Sequence, residues 1–274
     1  MIELPDINYA SRIADWIELQ VLFSGHSISK NKVASIVSEH STDYDESKID
    51  SAIQELVRRW YLYGDVKPYT ITNNIVSPNF AWRKYPEYTL CLIFSTHGAS
   101  NSEGGTKLFE RLTKSYIDYY YAFESTIFGF PNQISFKEQV HRLAEGCNEK
   151  KVDDPTQFDK DRGADIVAWK SFGDNRNCHL YLLVQCAAGG KWRDKKPVPI
   201  ASWRRYIGWN HLTAVPAIAI AQIVESEKWQ NAVDDYGLII DRARIFRTIS
   251  SGGYSTEPLL RSEISEWCNG KLSQ

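Results

Sequence analysis

Apolar residues in the first part of the chain recur at helical spacing. Residues 8 to 64 contain three such stripes, and each is bounded by residues that favour helix ends. The first ends near Gly25, the second opens after Ser29, and the third opens at Asp45. Residues 66 to 80 contain prolines and β-branched residues, which predict short strands and turns.

This order of three helices and a small β element resembles a winged-helix arrangement. Helix-turn-helix order is compatible with DNA binding, where one helix enters the major groove. A helical unit used for packing or dimerisation has the same pattern. Pro86 and Glu87 mark a boundary, so we predict a helical N-terminal domain over residues 1–84, which binds DNA or a partner, and a second domain over 85–274.

The second domain alternates strand and helix patterns, which favours an α/β fold. Continuous apolar runs indicate buried strands, and stripes of apolar residues indicate helices. The predicted strands are 88–95, 164–169, 178–187, 215–224 and 238–245, and the predicted helices are 107–123, 135–148, 227–236 and 257–268.

Composition is that of an ordinary soluble globular protein, with 43% hydrophobic and 24% charged residues in 274 positions. The net charge of −2 argues against a broadly basic protein that coats nucleic acid. No apolar run is long enough for a membrane span, and the start lacks the pattern of a signal peptide. The five cysteines show no CxxC spacing, so we expect a reducing cytoplasm and neither disulfides nor a zinc site.

Residues 161 to 192 contain the candidate metal-binding residues. A strand carrying Asp165 at its start is followed by a turn, Gly173–Asn177, and by a strand with Gln185 near its end. Antiparallel pairing would bring these two side chains together at one edge of the sheet. A carboxylate and a carboxamide oxygen suit Mg²⁺, which prefers oxygen ligands and takes only one or two carboxylates.

This stretch resembles the PD-(D/E)XK nuclease superfamily, in its restriction-endonuclease-like branch that uses Gln in place of the second acid. Asp165 matches the family Asp and Gln185 matches the second position, but Ala187 stands where the family has Lys. Lys191, beyond two glycines, is the nearest replacement. The resemblance implies a mixed central sheet flanked by helices, with Mg²⁺ or Mn²⁺ at Asp165 and Gln185. It also implies an endonuclease that cleaves DNA in bacterial restriction or antiphage defence.

The same resemblance implies a Glu on the helix before the Asp strand. Glu138 and Glu145 lie on the predicted helix 135–148, and Glu110 is a more distant candidate. Each could equally belong to a solvated helix face, with Glu138 paired to Arg142.

Basic residues follow the hairpin and alternate with aromatic ones. Such a segment suits contact with a phosphate backbone, here of double-stranded DNA. A solvated helix over 202–209 is the other interpretation. The basic residues are Lys191, Arg193, Lys195, Lys196, Arg204 and Arg205, and the aromatic ones are Trp192, Trp203, Tyr206 and Trp209.

Three other interpretations stay open. The hairpin could be purely structural, with Asp165 capping a turn and Gln185 satisfying backbone groups. The chain could be a nucleic-acid-binding or sensing subunit that keeps the fold without cleavage, since Ala187 lacks the lysine. It could also be an assembly protein whose helical N-terminus binds a partner, as a homo-oligomer or with a second component of a defence system.

Overall fold

The computed structural model describes residues 2–40, 45–99, 104–128, 134–156, 159, 162–209 and 214–273. Its helices are α1 Ala10–Ser24, α2 Lys30–His40, α3 Glu46–Leu62, α4 Pro86–His97, α5 Gly105–Tyr120, α6 Phe136–Gly146, α7 Ile200–Trp203, α8 Trp229–Tyr236, α9 Arg242–Ser250 and α10 Pro258–Leu272. Its strands are β1 Ile28–Ser29, β2 Tyr69–Thr72, β3 Ile75–Pro78, β4 Glu124–Ile127, β5 Ile166–Lys170, β6 Leu180–Ala187, β7 Val215–Ile220 and β8 Leu238–Ile240.

The N-terminal part has the element order α1, β1, α2, α3, β2, β3, and its strands form a small antiparallel sheet in the order β1-β3-β2. Asn73 and Asn74 join β2 to β3 with φ angles of 52° and 60°. Two consecutive left-handed residues make the tight hairpin turn that asparagine favours. The predicted winged-helix-like order of elements is therefore present.

The central sheet contains five strands in the described residues, in the order β4-β5-β6-β7-β8. β4, β5 and β6 pair antiparallel, whereas β6, β7 and β8 pair parallel. Helix α5 packs on one face against β4, β5 and β6, and α8 packs near β7 and β8 on the other. The predicted mixed α/β sheet flanked by helices is confirmed.

The strand predicted over 88–95 is wrong, because these residues form the buried helix α4. A short apolar run fits a buried strand and a buried helix equally well. Pro86 at the first helical position and Glu87 in the first turn are the start signals that decide for the helix. No helix in the described part of the chain combines the length and the apolar character needed to cross a membrane.

Two further elements are shorter than predicted, and one strand was missed. The strand over 238–245 ends at Ile240, because the Asp241 side chain caps α9 by accepting from the Arg244 amide at 3.0 Å. A helix over 202–209 is reduced to the short α7, and the residues after it form turns and an isolated bridge between Lys151 and Ile207. Strand β4, the antiparallel edge of the sheet, was not predicted.

The largest apolar cluster runs from Ile13 to Cys268 and so includes both sides of the predicted boundary at residue 84. Buried charges also join the two parts, since Arg242 of α9 pairs with Asp15 of α1 at 2.6 Å. The division into residues 1–84 and 85–274 stays a prediction, but the two parts share a core.

Candidate active site at the edge of the central sheet

Asp165 and Gln185 flank the last pair of the β5–β6 ladder, Ile166 with Val184. The Asp165 amide donates to Val184 O at 2.8 Å, and the Phe128 amide donates to Asp165 O at 2.7 Å. Both residues therefore lie at the same end of the hairpin, and a shared site for the carboxylate and the carboxamide stays a prediction.

The Asp165 carboxylate also has a structural role, because its Oδ2 accepts from the Cys186 amide at 2.7 Å. The turn before it is built from two left-handed residues, Arg162 with φ 51° and Gly163 with φ 76°. A Cβ at Gly163 would lie 3.5 Å from Gln185 Nε2. Gly163 therefore lets the backbone turn pass close to the Gln185 side chain.

The Gln185 side chain is 8% exposed, and its Oε1 atom has no hydrogen-bond partner in the described residues. A buried carbonyl oxygen without a partner costs free energy, about 1–3 kcal/mol. A hard divalent cation would satisfy this oxygen. The described residues contain no group of three or more His, Cys, Asp or Glu that could hold a metal.

Helix α5 brings further charges to this edge of the sheet. Glu110 is 9% exposed and forms an ion pair with Lys107, Oε2 to Nζ 2.9 Å. The charges of Asp165, Glu110 and Lys107 all act on the thiol of Cys186, the residue next to Gln185. Sequence analysis named Glu110 only as a distant candidate and missed Lys107. The i,i+3 spacing of the two residues on an amphipathic helix was the available signal.

The two faces of the strand end differ. Alternate side chains of a strand point to opposite faces, so Cys186 packs toward the α5 cluster and Gln185 shares its face with Ala187. Burial, followed by the negative charges of Asp165 and Glu110, raises the pKa of the Cys186 thiol well above its ordinary 9.0. Cys186 is therefore a neutral thiol, which makes nucleophilic cysteine chemistry unfavourable.

Ala187, the position of the family lysine, is 3% exposed in an apolar cluster. Trp192, Ile218, Ile220 and Tyr236 surround it. An ammonium group is strongly disfavoured in such surroundings. An alanine suits this position, because α8 and Trp192 belong to the same apolar cluster and leave no polar surroundings for a lysine.

Lys191 is exposed and lines a separate cavity of about 410 Å³. Other residues around that cavity include Arg12, Asp15 and Glu225, whereas Asp165 and Gln185 are not part of its lining. The double glycine that precedes Lys191 lies against other groups, since a Cβ at Gly190 would approach Arg12 Nη2 to 2.9 Å. Lys191 therefore lines a cavity together with residues of α1. Lys107 is the lysine whose charge acts on Cys186 at the strand end.

Glu138 and Glu145 face away from the sheet. The apolar stripe of α6 packs inward, with Val140 and Leu143 buried. Glu138 pairs with Arg142 at 2.8 Å, and Glu145 lies 3.2 Å from His141. These pairs agree with the alternative interpretation, in which both acids belong to a solvated helix face. Among the candidate helix acids, Glu110 is the one whose charge acts on Cys186 at the strand end.

The segment 191–209 separates its basic and aromatic side chains. Trp192, Trp203, Tyr206 and Trp209 are buried in apolar clusters, so they are not available to stack on bases. The basic residues stay at the surface: Lys191, Arg193, Lys195, Lys196, Arg204 and Arg205 are exposed. Arg193 pairs with Glu225 at 3.3 Å. This surface can contact phosphate through charge alone.

Helix α3 has the position of the DNA-reading helix in a winged-helix arrangement, but its outward side is acidic. Glu46 and Asp50 are exposed there and pair with Lys30 at 3.3 and 2.6 Å. Lys30 offsets part of this negative charge, and binding of DNA or of a partner by the N-terminal part stays a prediction.

Comparison with models of known protein families found no match, and comparison with curated proteins found none. Among solved structures, the restriction endonuclease FokI is similar over 91% of this chain and 46% of its own, with 10% identity and a TM-score of 0.28. Protein VC1899 from Vibrio cholerae is similar over 97% of this chain and 55% of its own, with 10% identity and a TM-score of 0.22. The chain spans about half the length of both structures. At these TM-scores the likeness decides neither fold nor function.

Proposed function

We propose that this protein is a metal-dependent nuclease that hydrolyses phosphodiester bonds of DNA in bacterial restriction or antiphage defence. The observation that supports the proposal is the buried Oε1 of Gln185, which has no hydrogen-bond partner in the described residues and lies at the same end of the hairpin as Asp165. A bound cation would satisfy this oxygen.

Asp165 and Gln185 would hold Mg²⁺ or Mn²⁺ through one oxygen each. The Asp165 hydrogen bond from the Cys186 amide keeps one carboxylate oxygen on the backbone and orients the group. A bound divalent cation supplies a Lewis acid and an activated water. Residues of this chain must then position the phosphate and stabilise the negative charge that develops on it.

Lys107 is the ammonium we assign to that charge. It is about one third exposed, and Glu110 holds its amine at 2.9 Å. Glu110 is buried and fixed on α5, so the pair presents a positioned cation on the Cys186 face of the strand end, where the charge of Asp165 also acts. Lys191 remains the alternative, because its flexible stem starts four residues after Ala187, the last residue of β6.

The alanine at position 187 favours a second candidate function, binding of nucleic acid without cleavage. Its burial under Trp192 and Tyr236 leaves no lysine at the usual position. A nucleic-acid-binding or sensing subunit that keeps the fold but does not cleave would tolerate this. Such a protein would bind DNA through the exposed basic surface of residues 191–205.

Incubation of the purified protein with supercoiled plasmid and Mg²⁺ or Mn²⁺ separates these two functions. Nicking that EDTA abolishes and that Asp165→Asn removes supports the nuclease. The matched control is Asp174→Asn, an exposed residue of the β5–β6 turn that pairs with Arg176. Salt-dependent binding without nicking, in both metals, selects the non-cleaving function.

A further inference from the structure

A second cavity, of about 430 Å³, lies outside the carboxyl ends of the parallel strands β7 and β8. Its walls come from α3, the segment after β7, the start of α8, and α9. In open sheets of parallel strands, ligands bind in crevices outside the carboxyl ends of strands. The lining residues are Arg58, Leu62, Val224, Ser226, Trp229, Asp241, Ala243, Arg244 and Arg247.

Three of these residues are arginines, and one of them, Arg58, forms an ion pair with an acid. Glu55 holds Arg58 with two hydrogen bonds of 2.7 Å. Arg244 lies with its guanidinium 4.9 Å from the centre of the Trp229 ring and donates to the carbonyl of Ile239. Neither Arg244 nor Arg247 forms an ion pair with an acid in the described residues.

The backbone is shaped to hold Arg247 at the cavity wall. Gly64 has a φ of +56°, and a Cβ there would lie 3.3 Å from Arg247 Nε. The arginine stem therefore lies against a bare backbone position. Asp241, the acid in the lining, caps α9, and the positive charges of Arg244, Arg242 and Arg58 act on its carboxylate.

The rest of the wall is apolar. Leu62, Val224 and Ala243 contribute aliphatic surface, and Trp229 contributes an aromatic edge. With three arginines and one carboxylate in the lining, the cavity has a net positive charge, which suits the charge of about −1.5 to −2 on a phosphate monoester near neutral pH. Arginine is suited to bidentate binding of phosphate oxygens.

We propose that this cavity binds a small phosphate ester with an apolar or aromatic body, of the nucleoside monophosphate type. Arg244 and Arg247 bind the phosphate, and the apolar wall receives the body of the ligand. The volume lies within the range of about 300–1,000 Å³ that is usual for small-molecule sites. The site is distinct from Asp165 and Gln185, and the proposal does not depend on cleavage.

Calorimetric titration of the full chain with adenosine monophosphate, inorganic phosphate and adenosine tests the proposal. We expect saturable binding of the monophosphate, weaker binding of inorganic phosphate, and the weakest binding of adenosine. Arg247→Gln should reduce affinity for the monophosphate by at least about tenfold, the scale of a lost charged hydrogen bond. Arg247 is exposed, so this variant keeps the fold, and Arg244→Gln is the second test of the same site.

The control is Arg83→Gln. Arg83 donates to Asn269 and does not line the cavity, so this variant should leave affinity unchanged. Lack of saturable binding by both phosphate compounds overturns the proposal. Equal affinity in wild type and Arg247→Gln overturns it too. Loss of binding in Asp165→Asn would place the ligand at the sheet edge and would also contradict this site.

Discussion

The Nη1 atom of Arg59 lies 2.6 Å from Oδ1 of Asp15, and both side chains are almost fully buried. The same carboxylate oxygen accepts from Arg242 Nη2 at 2.6 Å. Glu18 completes the cluster, with its Oε1 3.0 Å from Arg59 Nη1. Helices α1, α3 and α9 are therefore joined by buried ion pairs.

Asp15→Asn should destabilise the protein by about 3–5 kcal/mol, because both arginines would lose a buried anionic partner. Urea unfolding at neutral pH measures this difference in the free energy of unfolding. Asp50→Asn is the control, since Asp50 pairs with Lys30 at the surface and such pairs contribute about 1 kcal/mol or less. Equal effects of the two substitutions would contradict the role of the cluster.

The stabilisation from Asp15 should also depend on pH. Burial opposes ionisation of Asp15, but Arg242 and Arg59 outweigh it and hold its pKa below the ordinary 3.8. A carboxylate with a lowered folded-state pKa stabilises the fold above its unfolded pKa and loses that contribution as the pH falls through the folded pKa. The stability difference between wild type and Asp15→Asn should therefore be constant above about pH 5 and shrink below pH 3.8.

Asp165→Asn should abolish metal-dependent nicking with little loss of stability, because an amide oxygen can still accept from the Cys186 amide. Gln185→Ala should instead raise the Mg²⁺ concentration needed for half-maximal rate, since it removes one neutral ligand. Nicking rates over a Mg²⁺ titration distinguish these two effects. Wild-type rates in Asp165→Asn would reduce the pair to a structural hairpin.

The hairpin could be predicted because its signals are local: two apolar strands, a turn rich in glycine and asparagine, and polar residues at one end. The position of Glu110 and Lys107 could not, because it depends on how α5 packs across the sheet. The apolar run of α4 was misinterpreted for a related reason. A helix buried on all sides has no polar face, so its sequence shows no helical period, and only Pro86 marked its start.

Lys107→Ala should lower the nicking rate by about 10²–10³-fold, the usual cost of losing a group that stabilises developing charge. Metal affinity should change little, because Lys107 is not a ligand. Lys191→Ala is the matched variant, an exposed lysine at the other cavity, and should cut at close to the wild-type rate. The reverse ranking of the two variants would assign the role to Lys191.

Arg204 and Arg205 should bind DNA phosphates rather than bases, since the aromatic side chains beside them are buried. Their joint replacement by alanine should reduce the slope of log affinity against log salt by about 0.9 per lost contact. Fluorescence anisotropy with a short duplex at several salt concentrations measures the slope. Arg176→Ala, at the opposite end of the hairpin from Asp165 and 79% exposed, should leave it unchanged. A slope unaffected by the double variant would remove this surface from the DNA interface.

Ala187→Lys should destabilise the protein without restoring a family-type site. Ala187 is packed among Trp192, Ile218 and Tyr236, so the added chain must displace them and its ammonium must leave the apolar cluster to reach water. Ala187→Met adds an apolar chain of similar length and separates overpacking, about 1–3 kcal/mol, from the cost of burying charge. We expect Lys to lower the free energy of unfolding by more than Met, and neither variant to cut faster than wild type. Faster cutting by Ala187→Lys at unchanged stability would mean that a lysine at this position can reach the Asp165 edge, and the assignment of Lys107 would then fail.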